Sequence, residues 1–256
     1  MRSTRQIGLL LAVLVVQIVA AATVARAETD VMFFLGQKHI NNDIIDAYLP
    51  SQLQGLFPLL RNDLGDAEQM NAFGIGVSYA RPSWPVALAV DVLAASGDAR
   101  GAVDYTYQIG NEAYAYVSGS GLGSLDVDTF EVDLGVRKFW EVAKSASLYL
   151  GAGPSWVQAD FQHRVNASLA LLDSSMMQIG QLSGDVVLVD DDDNGFGYWA
   201  NAGVLWRLKR VSVAFDIRWS DAEVEMTNDV FAITNKFNAG GIHFGAMVGY
   251  QFGRRR

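Results

Sequence analysis

At its C-terminal end the chain alternates without a break. Ile242, Phe244, Ala246, Val248, Tyr250 and Phe252 are apolar, and His243, Gly245, Met247, Gly249 and Gln251 between them are small or polar. A period of two with unlike faces is the mark of a strand between two environments. Six further segments repeat it: 72–80, 86–94, 127–138, 146–160, 195–208 and 211–220. The clearest sets Val211, Val213, Phe215, Ile217 and Trp219 against Ser212, Ala214, Asp216, Arg218 and Ser220. The first strand, from Asp30 to about Lys38, is apolar on both faces, so alternation leaves its inward side open.

The connections between these segments run long, short, long, short, long, short, long. An antiparallel meander whose long loops lie on one side of a membrane, with its short turns on the other, produces that order. The expected fold is therefore all-β: an up-and-down transmembrane β-barrel of eight strands. Ten are possible if the hairpins within 95–126 and 161–194 join the wall. In the first long loop, cap candidates at Asn42 and Ser51 predict one or two short amphipathic helices. The many apolar residues of that loop, among them Leu53, Leu56 and Phe57, suit a cap over the barrel mouth or a site for an apolar ligand or partner.

Height along the apolar face sharpens the picture. Phe73, Phe130, Trp156, Tyr198, Trp219 and Phe244 fall at the long-loop end, and Tyr79, Trp84, Trp140, Trp206, Tyr250 and Phe252 at the short-turn end. Aliphatic residues such as Val90, Leu134, Leu150, Val213 and Val248 lie between. Two aromatic girdles around an aliphatic band match a bilayer and its two interfaces. The opposite face carries Asp91, Glu131, Asp133, Arg137, Arg207, Asp216, Arg218 and His243, with Asn201 among them. Eight strands leave an interior only wide enough for side chains, and charges sealed there must pair. These residues are the candidate lumen network, either a salt-bridged plug or a narrow ion path.

The first residues change the cellular context. Met1-Arg-Ser-Thr-Arg5, an apolar run over 7–24 and Ala25-Arg-Ala27 have the build of a Sec signal peptide cleaved after Ala27. The expected division is a signal over 1–27 and a barrel domain over 28–256. Losing Arg2, Arg5 and Arg26 takes the formal charge from −9 to −12. That acidity argues against nucleic acid as a partner. With no cysteine, the chain can form no disulfide.

On these residues the chain resembles the eight-stranded OmpA- and OmpX-type outer-membrane barrels of Gram-negative bacteria. The most specific piece is His243-x-Gly245-x-x-Val248-x-Tyr250-x-Phe252, similar to the C-terminal signal read by the outer-membrane assembly machinery. In the family that signal commonly ends the chain, whereas here Gly253-Arg-Arg-Arg256 follows. The resemblance implies outer-membrane lipid, lipopolysaccharide and the assembly machinery as partners, and leaves any surface partner unspecified. No cofactor is implied. Some small barrels of this type modify lipids with a His-Ser-carboxylate set; of the three histidines near the long-loop end, His39, His163 and His243, the last could converge with Ser220 and Asp221, without a nucleophile motif. Asp190, Asp192 and Asn194, followed by Gly195, match the first half of a calcium loop. The twelfth position is Asn201 rather than a carboxylate, so a solvated acidic loop tip is the plainer expectation. The function expected is that of a non-enzymatic barrel with a charge-plugged lumen and long surface loops, for envelope integrity or surface interaction. A narrow porin-like channel or carrier is the alternative.

Overall fold

The computed structural model describes residues 28–40, 61–64, 69–81, 83–108, 116–172, 178–228 and 233–253. These form β1 (Glu28–His39), β2 (Arg61–Leu64), β3 (Gln69–Ala80), β4 (Ala87–Gln108), β5 (Tyr116–Ala143), β6 (Ala146–Leu172), β7 (Gln178–Leu208), β8 (Val211–Asn228), β9 (Ile233–Asn238) and β10 (Gly241–Phe252). Eight of them close a wall in the order β10-β1-β3-β4-β5-β6-β7-β8, with β8 pairing β10 to complete it. All its pairings are antiparallel. The short β2 and β9 pair only with β4 and β8. The helices expected in the first long loop fall on residues outside those described.

Closure fixes the stagger of the wall. Pairing from His39 through Ile242, Trp219, Ala200, Ala152, Val136, Leu88 and Tyr79 returns to β1 at Thr29, a displacement of 39 − 29 = 10 residues. Strand number and stagger together set the tilt, roughly 35–45° in such barrels, and the bore. Side chains level with one another inside the lumen are therefore far apart in naive strand counting.

Exposure follows the alternation. Leu88, Leu134, Leu150, Ile217 and Val248 are exposed on the outer face, whereas Asp91, Asp133, Asp216 and Arg218 are buried within. For β1 the structure supplies what the sequence left open. Phe33 and Leu35 are 57% and 70% exposed, whereas Met32, Phe34 and Lys38 point into the lumen and are buried.

The 161–194 segment departs from expectation. It is not a loop with an acidic tip: β6 and β7 run on through it, and Asp190 to Asn194 lie in β7, paired with Gln158 to Gln162 of β6. Between β4 and β5 the extension is the one that the continued alternation of Val103, Tyr105 and Tyr107 predicts, and the pairing runs on from Asp98↔Asp126 to Gln108↔Tyr116. These hairpins lengthen existing strands rather than adding new ones to the wall. Beyond the membrane girdle their inward face turns apolar. Val127, Val157, Ala159, Phe161, Val224 and Phe237 form a buried cluster there, with Phe161 and Phe237 edge to face at 5.1 Å.

Candidate functional site: the ionic lumen

The centre of the lumen is built on Arg218. Its strand, β8, is forced by Val213, Phe215, Ile217 and Trp219 to turn even-numbered side chains inward, which buries a guanidinium at 2% exposure. Its Nη2 donates to Asp91 Oδ2 at 2.5 Å and its Nη1 to Asp133 Oδ2 at 2.6 Å. Asp216, from the same strand, is 3.8 Å from Nε. Asp91 is shared, because Arg137 Nη2 also donates to its Oδ2 at 2.6 Å, while Arg137 Nη1 donates to Ser78 Oγ at 2.8 Å. Asp216 Oδ1 in turn accepts from Tyr149 Oη at 2.6 Å and from Asn201 Nδ2 at 2.9 Å. The Trp199 ring lies beneath both guanidiniums, 5.1 Å from Arg218 and 5.9 Å from Arg137. Its own Nε1 donates to the Leu134 carbonyl at 3.0 Å. Charge-assisted pairs of this kind are the strong ones in a low dielectric.

Two smaller groups flank this centre. Toward the long-loop end, Lys38 Nζ pairs with Glu131 and donates to Thr129 Oγ1 at 3.0 Å and the Ala239 carbonyl at 2.7 Å. His243 Nε2 sits 3.2 Å from the same Glu131 oxygen, but its geometry falls short of a hydrogen bond. At the short-turn end Arg207 Nη2 donates to Asp30 Oδ2 at 3.2 Å and its Nη1 to Ser147 Oγ at 3.0 Å. Of the eight charged or histidine candidates, Asp91, Asp133, Arg137, Asp216 and Arg218 thus meet in one cluster. Glu131 and His243 meet in a second, and Arg207 belongs to a third.

Lys38, Asp30 and Tyr149 are partners that sequence reasoning did not assign to the network. The register would have exposed Lys38, since it faces His243 across β1 and β10. Tyr149 was legible as inward-facing; what was not legible is that its hydroxyl reaches Asp216 across the lumen.

The other candidates are not brought together. Ser220 and His243 both face inward, but Asp221 follows Ser220 directly and so faces outward, where it accepts from Asn238 Nδ2 at 2.6 Å. A strand cannot point consecutive side chains the same way. Asp190, Asp192 and Asn194 line the outer face of an extended strand, so their backbone does not wrap around an ion as a calcium loop must. Among the described residues no group of three metal-ligating side chains converges. In the C-terminal motif, Val248 and Tyr250 are exposed on the outer face and His243 is buried, while Gly245 faces Gly36 across β1 and β10.

A closed wall of eight antiparallel strands, apolar outside and ionic within, defines a small transmembrane β-barrel of the outer-membrane type. Comparison with solved structures finds such barrels. The neisserial surface protein NspA is 10% identical over 88% of this chain and 97% of its own, with a TM-score of 0.41. Ail, the attachment invasion locus protein of Yersinia pestis, solved with the heparin analogue sucrose octasulfate, is 13% identical over 88% and 99%, with a TM-score of 0.36. At these identities the likeness concerns the fold alone. No family model and no curated protein matches the chain.

Proposed function

We propose that this chain is a non-enzymatic protein of a Gram-negative outer membrane, exported by a signal over residues 1–27 and cleaved to a barrel of 28–256. Assembly machinery would recognise its His243 to Phe252 motif, and outer-membrane lipid and lipopolysaccharide would surround its wall. The barrel acts as a rigid base that carries strands out beyond the membrane for surface interaction or envelope integrity.

One observation carries this reading. β5, β6 and β7 are 28, 27 and 31 residues long, whereas β1, β3 and β10 have 12 each. A spanning strand needs only about 9–11 residues. From Trp156 in the outer girdle to Leu172 the chain advances roughly 50 Å at the usual strand rise. Such an investment in ordered chain outside the bilayer suits a surface that meets something.

The porin-like reading is the weaker one because Arg218 is hydrogen-bonded across the bore to Asp91 and Asp133 and its guanidinium lies over the Trp199 ring. Purified protein in planar bilayers should give no current above background, and steady conductance would overturn the plug. Because the chain has no cysteine, Asp192→Cys gives a clean surface probe. On intact cells a membrane-impermeant maleimide should label it, and labelling only after lysis would overturn the orientation.

A further inference from the structure

The lipid-facing wall is not uniformly smooth. Along β7 the outward residues Ala202 and Val204, with Gly203 between them, are small and form the floor of a groove of about 510 Å³. Leu148 and Leu150 of β6 make one ridge, and Phe215 and Ile217 of β8 make the other. Val204 pairs with both Leu148 and Phe215, and Ala202 with Leu150 and Ile217, so the groove follows the strand. It ends at Trp206, whose ring meets Phe215 edge to face at 6.1 Å. The groove lies in the half of the aliphatic band nearer the short turns.

What lies beyond its lower end is charged, and against the sign of the chain as a whole. The chain carries a net −9. Yet the two turns that bracket β6 and β7 present Lys144 and Lys209-Arg210, and Lys138 stands outward on β5 with its Nζ 5.4 Å from the Trp140 ring. Glu141 is the one carboxylate between residues 138 and 146 or 205 and 213. Lys209 also has φ 63°, the left-handed region where glycine or asparagine is favoured. A lysine at that position carries backbone strain that glycine would not, which points to use of its charge.

We propose that this groove and its cationic lower rim bind an anionic glycerophospholipid of the short-turn leaflet. One acyl chain lies along β7 and the phosphate rests among Lys138, Lys144 and Lys209, whereas Arg210 is turned to the Tyr250 hydroxyl on the other side of β8. The argument rests on the membrane placement of the barrel and is independent of what the surface strands do. Cations near an anionic headgroup layer are worth about fivefold each in affinity, whereas the apolar groove alone does not distinguish headgroups.

The test is native mass spectrometry of the whole mature chain from nanodiscs of equal phosphatidylglycerol and phosphatidylethanolamine. Wild type should retain one phosphatidylglycerol in preference to phosphatidylethanolamine. Lys144→Ser with Lys209→Ser should reduce that preference roughly 25-fold. Ala202→Phe, which fills the floor, should reduce retention of either lipid, and Ile217→Ala, which lowers a ridge without adding bulk, should do the same. Heat-modifiable gel migration establishes that each variant is folded, and the ridge variant serves if the filled one is not. Equal retention of both lipids by wild type would overturn the proposal, as would unchanged retention in a folded groove variant. So would a dimer that Ile217→Ala or Ala202→Phe dissociates, because the groove would then belong to a second copy.

Discussion

Replacing Arg218 with methionine removes the charge and the five donors but keeps an unbranched side chain of similar volume. The guanidinium holds Asp91 and Asp133 at 2.5 and 2.6 Å, and the arginine and both aspartates are almost wholly buried. Hydrogen bonds to charged groups contribute about 1.5–3 kcal/mol each, so two give roughly 3–6 kcal/mol. Stripping one partner from a buried ion pair costs about 3–5 kcal/mol by a separate line of measurement. The two ranges meet near 4 kcal/mol. Asp91 keeps Arg137, so most of the penalty falls on Asp133. With a urea slope of about 2–3 kcal/mol/M, the unfolding midpoint in lipid vesicles, followed by tryptophan fluorescence, should drop by roughly 1.3–2 M. Asp133→Asn placed on Arg218→Met should recover part of the loss, giving a coupling well above 1 kcal/mol. Polar contacts between membrane helices average only about 0.6 kcal/mol. A loss of that size in Arg218→Met, with no recovery in the double variant, would refute the idea that these charges hold the barrel together.

Three other outcomes follow from the same geometry. Leu134→Arg puts a cation on the exposed aliphatic band and should cost about 2–4 kcal/mol, read by the same titration. Gly203→Ala should weaken the barrel by about 1–3 kcal/mol, because a Cβ there collides with the Tyr149 phenol and drives it from Asp216; circular dichroism melts in detergent would show it. Asp160 lies beyond the outer girdle and opposes Asp128 and Asp192 in the register. Partial burial, then the charges of Asp128, Asp192 and Asp190, hold its carboxyl above the usual range. A carboxyl raised in the folded state favours folding when protonated, so the β6–β7 extension gains stability as pH falls through that raised value. Amide hydrogen exchange around Asp160 should slow on mild acidification at matched intrinsic rates, and Asp160→Asn should abolish that pH dependence.

The strands of the wall were legible in the sequence wherever the two faces differ chemically. Val211 to Ser220 could be read residue by residue because Asp216 and Arg218 cannot face lipid. β1 could not, since Met32 and Phe34 are as apolar as Phe33 and Leu35. There only the pairing of Lys38 with His243 and Met70 settles the face. Partners inside the lumen were less legible than membership. Arg218 meets Asp91 from β4 because of a ten-residue stagger around the wall, a quantity set by closure and not by local pattern. The acidic run over 190–193 misled for a different reason. Aspartate is poor in strands when considered alone, but pairing with β6 on one side overrides that preference. The apolar cluster around Phe161 is hard to read for another reason: the period of two continues but its polarity inverts, so that Val157, Ala159 and Phe161 extend the inward face of Ser155, and Ala222 and Val224 that of Ser220.

The account depends on which side of the wall meets lipid, and collision accessibility of single nitroxide labels in reconstituted vesicles measures that directly. Labels at Leu134, Leu150 and Val248, all exposed on the outer face, should be relaxed strongly by oxygen and weakly by a water-soluble nickel chelate. Labels at the buried inward positions Ser155 and Ser212 should be poorly reached by oxygen from the lipid. Strong nickel relaxation at the first three, with oxygen favoured at the two serines, would contradict the account.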